Sequence, residues 1–365
     1  MTQAAVQLAV SNDATPTVRG VVTGALRPLV RRIDEEGFYP AAVMHELGAA
    51  GAFRQHVDGA SGDHGLFAAI EAMAEVSAAC ISTGFCVWCQ DALVWYLANA
   101  ENPRARERYL DEVAQGRHLG GTGLSNPMKA LSGIEPLALR GVRVPGGYRI
   151  TGRLPFVSNV EPGHLFAGVF RIEGSERLAM AVFRAGHEHV SLVRSAHFIA
   201  LEGSATYSVQ IRDAFVPDDD VLSEDAAAFV TNIRKGFVLL QAGIGLGAAR
   251  GAARSMGADA IGRRLGANLP LGPDEIDARC DALAAQVQTL ARDPQPTDRA
   301  AFLEVLRARL AISWLALEAA QAAMLQSGAR GYLAGSEPAR RLREAQFVAL
   351  VTPSVKHIVA ELAKG

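Results

Sequence analysis

A chain of 365 residues, 49% apolar and 20% charged, can bury a large core, and its length favours two or three domains. That balance excludes a mostly disordered protein, and a formal charge of −2 with scattered Lys and Arg excludes the basic stripe of a nucleic-acid binder. No apolar run reads as long enough to span a membrane, and the first residues lack the charged-then-apolar order of a signal peptide. The expected location is therefore the cytoplasm, with no membrane partner.

Residues 1–15 are polar and alanine-rich and read as a loose arm. From Thr17 to Gly120 the pattern is helical. Leu26, Leu29, Val30 and Ile33 recur at helical spacing, and Pro40 is placed to start a helix over 41–50. A glycine-rich loop over 58–65 carries His64, read as a surface turn residue rather than a substrate contact. Helices follow over 66–79, 84–98 and 103–115. Cys86 and Cys89 form a C-x-x-C inside the aromatic helical run FCVWCQDALVWY. A redox pair would follow a strand, and zinc would need two more ligands that Cys80 and Cys280 do not supply. The four cysteines read as buried structural thiols, with no disulfide framework and no metal site.

Beyond Gly120 the composition turns to strands over 136–144, 148–152, 165–172, 178–183, 190–194 and 205–212, separated by turns such as Pro145-Gly146-Gly147. They predict a small antiparallel, barrel-like sheet. Two segments in it, Leu124-Ser125-Asn126-Pro127 and Pro155-Phe156-Val157-Ser158-Asn159, read as loops offering small hydroxyls, free N–H groups and one aromatic ring. A planar, electron-accepting ring system needs such a surface and such donors.

From Ala226 the pattern is helical again, over 232–256, 276–291, 300–327 and 338–363, the last broken at Pro353. The run GIGLGAARG is similar to a dinucleotide fingerprint, but no strand leads into it, so it reads as a helix with small residues. Helices, sheet, helices predict an α+β chain: an N-terminal helical domain (1–120), a middle β domain (121–225) and a C-terminal four-helix bundle (226–365).

These pieces together resemble the acyl-CoA dehydrogenase flavoprotein family. The likeness rests on Leu124-Ser125-Asn126-Pro127, on Gly146-Gly147-Tyr148 with Ile150 and Gly152, and on Pro155-Phe156-Val157-Ser158-Asn159. It continues through Gly203-Ser204-Ala205-Thr206 with Val216-Pro217, Gln326-Ser327-Gly328-Ala329-Arg330-Gly331-Tyr332, and Arg343-Glu344-Ala345. The resemblance implies bound flavin, with Leu124, Ser125, Phe156, Val157 and Ser158 around the ring. Ser158 would donate near its redox-active nitrogen, and Gln326 and Gly328 would lie near the adenine-nucleotide end. The family's Arg-x-x-Phe-Gly stands here as Gly262-Arg263-Arg264-Leu265-Gly266, and Ala329 replaces a glycine, so FAD is implied and FMN stays open. Subunit sharing of flavin sites in the family implies a homodimer or homotetramer.

One family feature is missing. A weak carbon acid needs a desolvated carboxylate within reach, yet no Asp or Glu occurs over 345–360 or over 226–256, the two stretches where the family places it. No catalytic residue is therefore assigned. Three readings stand: a dehydrogenase acting α,β on an acyl thioester with a displaced base, a reduced-flavin monooxygenase of the same fold, or an inactive flavin-binding or assembly subunit. His357 reads as a solvated helix residue. The substrate cavity is expected along Phe237–Gly247, whose glycines signal either a roomy pocket or close helix packing, with packing favoured.

Overall fold

The computed structural model describes residues 16–57, 65–194, 196–256, 264–294 and 298–364. The arm over 1–15, the loop with His64 and the shifted Gly262-Arg263 lie outside them.

Thr17 caps α1 (Val18–Val21), its hydroxyl accepting from the Gly20 amide. One π turn and a 3₁₀ turn carry the helix past Pro28, which has no N–H to give the ladder, into α2 (Val30–Glu35). Next come α3 (Ala41–Ala49), α4 (Gly65–Ala79), α5 (Ile81–Ala98) and α6 (Pro103–Ala114). Every residue from Ile81 to Leu97 is buried, as expected of a helix that is apolar all round. All four cysteines are buried free thiols.

The sheet comprises β1 (Gly120–Thr122), β2 (Leu139–Val144), β3 (Gly147–Val157), β4 (Leu165–Ile172), β5 (Leu178–Arg184), β6 (Val190–Val193), β7 (Tyr207–Pro217) and β8 (Val221–Ser223). Its order is β6-β7-β3-β2-β4-β5-β8, with β1 also beside β4. The sheet is mixed, which corrects the purely antiparallel expectation. β1 and β2 both run parallel to β4, one beside Leu165–Ala167 and the other beside Arg171–Ile172. They act as one strand interrupted by an excursion, and that excursion contains α7 (Ser125–Leu131).

Two predicted loops are therefore corrected. Ser125 opens a short helix, fixed because the Thr122 hydroxyl accepts from the Leu124 amide and the Asn126 side chain bonds Pro136 O and the Ala138 amide. Pro155, Phe156 and Val157 belong to the end of β3, where its pairing with β7 slips between Leu154 and Val157. A proline is tolerated in a strand at such a bulge, because no ladder donor is required of it there.

The C-terminal part holds α8 (Ala226–Leu240), α9 (Ala242–Met256), α10 (Pro273–Ala291), α11 (Arg299–Ser327), α12 (Glu337–Leu350) and α13 (Val355–Leu362). The predicted 232–256 helix starts earlier, at the Asp225 cap, and jogs at Gln241. Its glycines serve packing. A Cβ on Gly236 would lie 2.5 Å from the Trp95 ring and one on Gly243 would lie 2.6 Å from Ile70 O, while Gly245 and Gly247 press on Ile312 and Ala74. The run Ala226–Met256 is long and apolar enough to cross a membrane, which corrects the expectation that none is. Its most apolar window is 94% buried inside the protein.

Two apolar cores result. One joins the N-terminal helices to the bundle through α5, and the other fills the sheet around Phe166, Phe170 and Ile150.

Candidate active site

Between the sheet, α5, α8 and α12 lies a cavity of ≈ 480 Å³. Its helical wall is aromatic. Phe85 stacks on Trp88 (5.6 Å between centroids, 13° between planes) and meets Phe347 edge-on at 4.4 Å, and Trp88 lies 5.1 Å from Phe237. The Trp88 indole N–H donates to Phe237 O at 3.4 Å, so that wall's one strong donor is already satisfied. Cys89 completes it, and burial pushes this thiol far above its ordinary range, leaving it unreactive.

The sheet side carries hydroxyls. Thr122 bonds Tyr96 (2.8 Å), Ser125 bonds Thr352 of the loop after α12 (2.9 Å), and Ser158 bonds Thr206 (2.7 Å). The Ser158 end of β3 is held by unusual backbone. Asn159, Leu201 and Ala205 have φ of +59°, +68° and +46°, three of the four positive-φ non-glycine residues among those described. Such conformations persist where surrounding contacts over-determine them. Here Tyr39 donates to the Asn159 side chain at 2.6 Å, that side chain donates to Gly120 O at 2.6 Å, and the Asn159 amide donates to Ser204 O at 2.9 Å. Gly121 has no substitute, because any Cβ would collide with Ser158 O.

At the mouth, Phe156 is 54% exposed and meets Phe198 edge-on. Arg343 forms a bidentate pair with Asp34 (2.6 and 3.0 Å), and Lys129 lies 3.4 Å from Glu135. Among the described residues, none that lines the cavity is Asp, Glu or His.

Of the residues singled out by sequence, Ser125, Phe156 and Ser158 line this one cavity. Leu124 and Val157 are buried, their side chains in the helical and the sheet core respectively. Gln326 lines a separate ≈ 210 Å³ pocket with Ser255, Ser327 and Arg330, and Gly328 adjoins it on the chain. A single chain therefore does not bring the two groups together. Of Phe237–Gly247 only Phe237 reaches the cavity. His357 is not a solvated residue. It is 9% exposed, its Nε2 lies 3.0 Å from Ser132 Oγ, and burial lowers its pKa. Sequence reading missed Trp88, Ser204, Thr206, Phe347 and Thr352. The Gly203–Thr206 segment was legible only as the end of the sheet region.

Aromatic walls with a few convergent polar groups, in a cavity of this size, suit a planar apolar ring with polar atoms along one edge. The hydroxyl set of Thr122, Ser125, Ser158 and Thr206 fits an isoalloxazine in kind.

Residues 12–117 match the model for "Acyl-CoA dehydrogenase, N-terminal domain". Over 233 residues the chain is 24% identical to benzylmalonyl-CoA dehydrogenase of Aromatoleum aromaticum, covering 62% of this chain and 62% of that one. Over 208 residues it is 27% identical to the oxygenase component of the FADH(2)-dependent resorcinol hydroxylase of a Rhizobium species, covering 55% and 47%. In both cases the match spans less than two thirds of the relative's own length. The fold agrees with that of butyryl-CoA dehydrogenase from Megasphaera elsdenii at a TM-score of 0.82, with 16% identity and 95% of each chain covered. Other solved structures sharing the fold hold FMN or FADH2.

Proposed function

We propose that this chain, acyl-CoA dehydrogenase-like in fold throughout and in sequence over its N-terminal third, is a flavin-dependent oxidoreductase whose ring site is the cavity between sheet and bundle. Ser125 and Ser158 hold the polar edge of the ring, Phe156 covers it at the mouth, and the Phe85–Trp88–Phe237 wall receives the substrate. That wall, with its indole N–H already bonded, selects a flat apolar or aromatic group.

The finer reading is oxygenation by reduced flavin rather than α,β-dehydrogenation of an acyl thioester. One observation carries it: among the described residues no carboxylate or imidazole lines the cavity, and Lys129, the lining amine, is engaged by Glu135 at 3.4 Å. When bound, flavin supplies either the electrons that activate oxygen or the acceptor for a hydride, and only the second use needs a carbon-acid base. The chain's part is to exclude water with its aromatic wall and to orient the ring with its hydroxyls. The likeness to benzylmalonyl-CoA dehydrogenase supports dehydrogenation as the second reading. FAD is the proposed flavin and FMN the alternative. A second copy of the chain would bring Gln326 and Gly328 to the nucleotide end, in a homodimer or homotetramer.

The deciding experiment loads the protein with FAD or FMN and splits it in two. One half is titrated under nitrogen with an acyl-CoA panel. The other receives reduced flavin, oxygen and apolar aromatic substrates. Oxygen uptake with hydroxylated product supports the first reading. Bleaching by an acyl-CoA overturns it in favour of the second, and a protein inert in both arms points to an assembly subunit.

A further inference from the structure

Three hydroxyls stand in line on the sheet side of the cavity. Ser204 Oγ lies 2.6 Å from the Leu201 carbonyl oxygen and 2.7 Å from Thr206 Oγ1, which lies 2.7 Å from Ser158 Oγ. Each hydroxyl has one proton to give. A carbonyl can only accept, so the Ser204 proton points to Leu201. Thr206 must then donate to Ser204, and Ser158 to Thr206. The direction is set from the anchored end, and Ser158, which lines the cavity, is left facing it with lone pairs alone.

The anchor is rigid. Leu201 and Ala205 flank Ser204 in the left-handed region, the Asn159 amide donates to Ser204 O, and Ser204 is 1% exposed. The chain is thus closed at its inner end and open only toward the cavity.

We infer that Ser204 and Thr206 are positioning residues that hold Ser158 as a hydrogen-bond acceptor, so that the site prefers reduced over oxidised flavin. This rests on the flavin reading above. It also reverses the donor role that the family resemblance implied for Ser158. The redox-active ring nitrogen of oxidised flavin is an acceptor, whereas in reduced flavin it carries a proton it can donate. A serine locked as an acceptor is complementary to the second and opposed to the first. A site of this polarity fits a protein that takes up flavin already reduced.

The test uses the full chain, with FAD and with FMN, each oxidised and dithionite-reduced under nitrogen. Affinities in both states and the midpoint potential of the bound flavin are measured. Thr206→Val removes the acceptor for the Ser158 proton and frees Ser158 to donate. The preference for reduced flavin should then fall about tenfold, equivalent to a potential lower by about 30 mV for a two-electron couple. Ser204→Ala breaks the anchor at a different atom and should shift the potential the same way, and Thr206→Ser should restore it. Circular dichroism and thermal melting confirm that each variant folds. Unchanged or raised potentials in both Thr206→Val and Ser204→Ala, with flavin still bound, overturn the relay alone. A wild-type chain that binds neither flavin in either state overturns the flavin reading and the relay with it.

Discussion

Ser125 Oγ and Thr352 Oγ1 meet at 2.9 Å although 227 residues separate them. The contact ties α7, the excursion between β1 and β2, to the loop that follows α12. The Thr352 carbonyl in turn accepts from Gln241 Nε2 at 2.7 Å, at the jog between α8 and α9. One residue therefore links the sheet region, the last long helix and the first bundle helices, and both members of the pair line the cavity.

This link should be measurable as a coupling. A hydrogen bond between two part-buried neutral hydroxyls contributes about 1 kcal/mol. In a double-mutant cycle of Ser125→Ala and Thr352→Val, urea denaturation should give a coupling of about 1 kcal/mol. Additive effects would mean that the sheet and bundle sides are not joined here.

An acid can be placed in the cavity wall. Val351 is 8% exposed and lines the cavity in the loop that carries Thr352. A Val351→Glu carboxyl would be desolvated, with its pKa raised toward the range of a general base. The variant should bleach bound flavin with an acyl-CoA under nitrogen while the parent does not, and should lose about 2 kcal/mol of stability for the buried polar group. Rapid bleaching by the parent would show that the chain has a base elsewhere and would sink the oxygenation reading.

How far the sequence could carry these conclusions differs from residue to residue. Ser125, Phe156 and Ser158 were legible as a group because their motifs occur in family order, and helical spacing placed most of the long helices to within a few residues, though not the start of α8 or the short α7. Pro155 misled because proline signals a break, whereas here it sits on a β3–β7 register slip that only the paired strand defines. The parallel pairing was hidden by α7, which divides one strand direction into β1 and β2. The Ser158–Thr206–Ser204 line depends on pairing across 48 residues, and no local pattern encodes it. Gln326 and Gly328 read as neighbours of the same flavin, yet one chain keeps them at a separate pocket.

Arg309 tests the floor beneath Thr352. It is 2% exposed, and the partners it meets among the described residues are neutral: Gln241 Oε1 at 3.0 Å, Val348 O at 2.5 Å and Ser313 Oγ. Burial lowers its pKa to about 10, so it is charged at neutral pH despite the absence of an acidic partner. Arg309→Ala would strand three acceptors and open a void, at a cost of about 3–5 kcal/mol. Because Gln241 holds the Thr352 carbonyl, flavin affinity should fall as well. Arg309→Lys keeps the charge but loses the planar fork and should be milder on both counts. Urea midpoints and flavin titration check this, and an Arg309→Ala protein of parental stability would contradict it.

His56 and Asp91 make the most direct pH prediction. Their side chains are 1% and 0% exposed, with Nδ1 and Oδ1 3.8 Å apart, and neither Nδ1 nor either Asp91 carboxyl oxygen has a hydrogen-bond partner among the described residues. The His56 Nε2–H donates to Asp91 O at 3.2 Å, which leaves Nδ1 bare toward the carboxyl. Burial raises the Asp91 pKa well above 3.8 and lowers that of His56 to about 4. The two shifts act on stability with opposite signs. The raised Asp91 pKa favours the fold at low pH, an advantage lost as pH rises above 3.8 toward its folded value. The lowered His56 pKa favours the fold above 6.5, and that is lost as pH falls through about 4. From about 4 upward the two slopes oppose each other, the His56 slope ending at 6.5 and the Asp91 slope where its carboxyl ionises in the fold. Asp91→Asn removes that slope and offers Nδ1 an N–H. The variant should gain on its parent as pH rises, with a gap that is larger at pH 8 than at pH 4. Urea denaturation of both proteins from pH 4 to 8 reads the difference directly, and a gap that stays constant across that range would show that Asp91 is not held protonated in the fold.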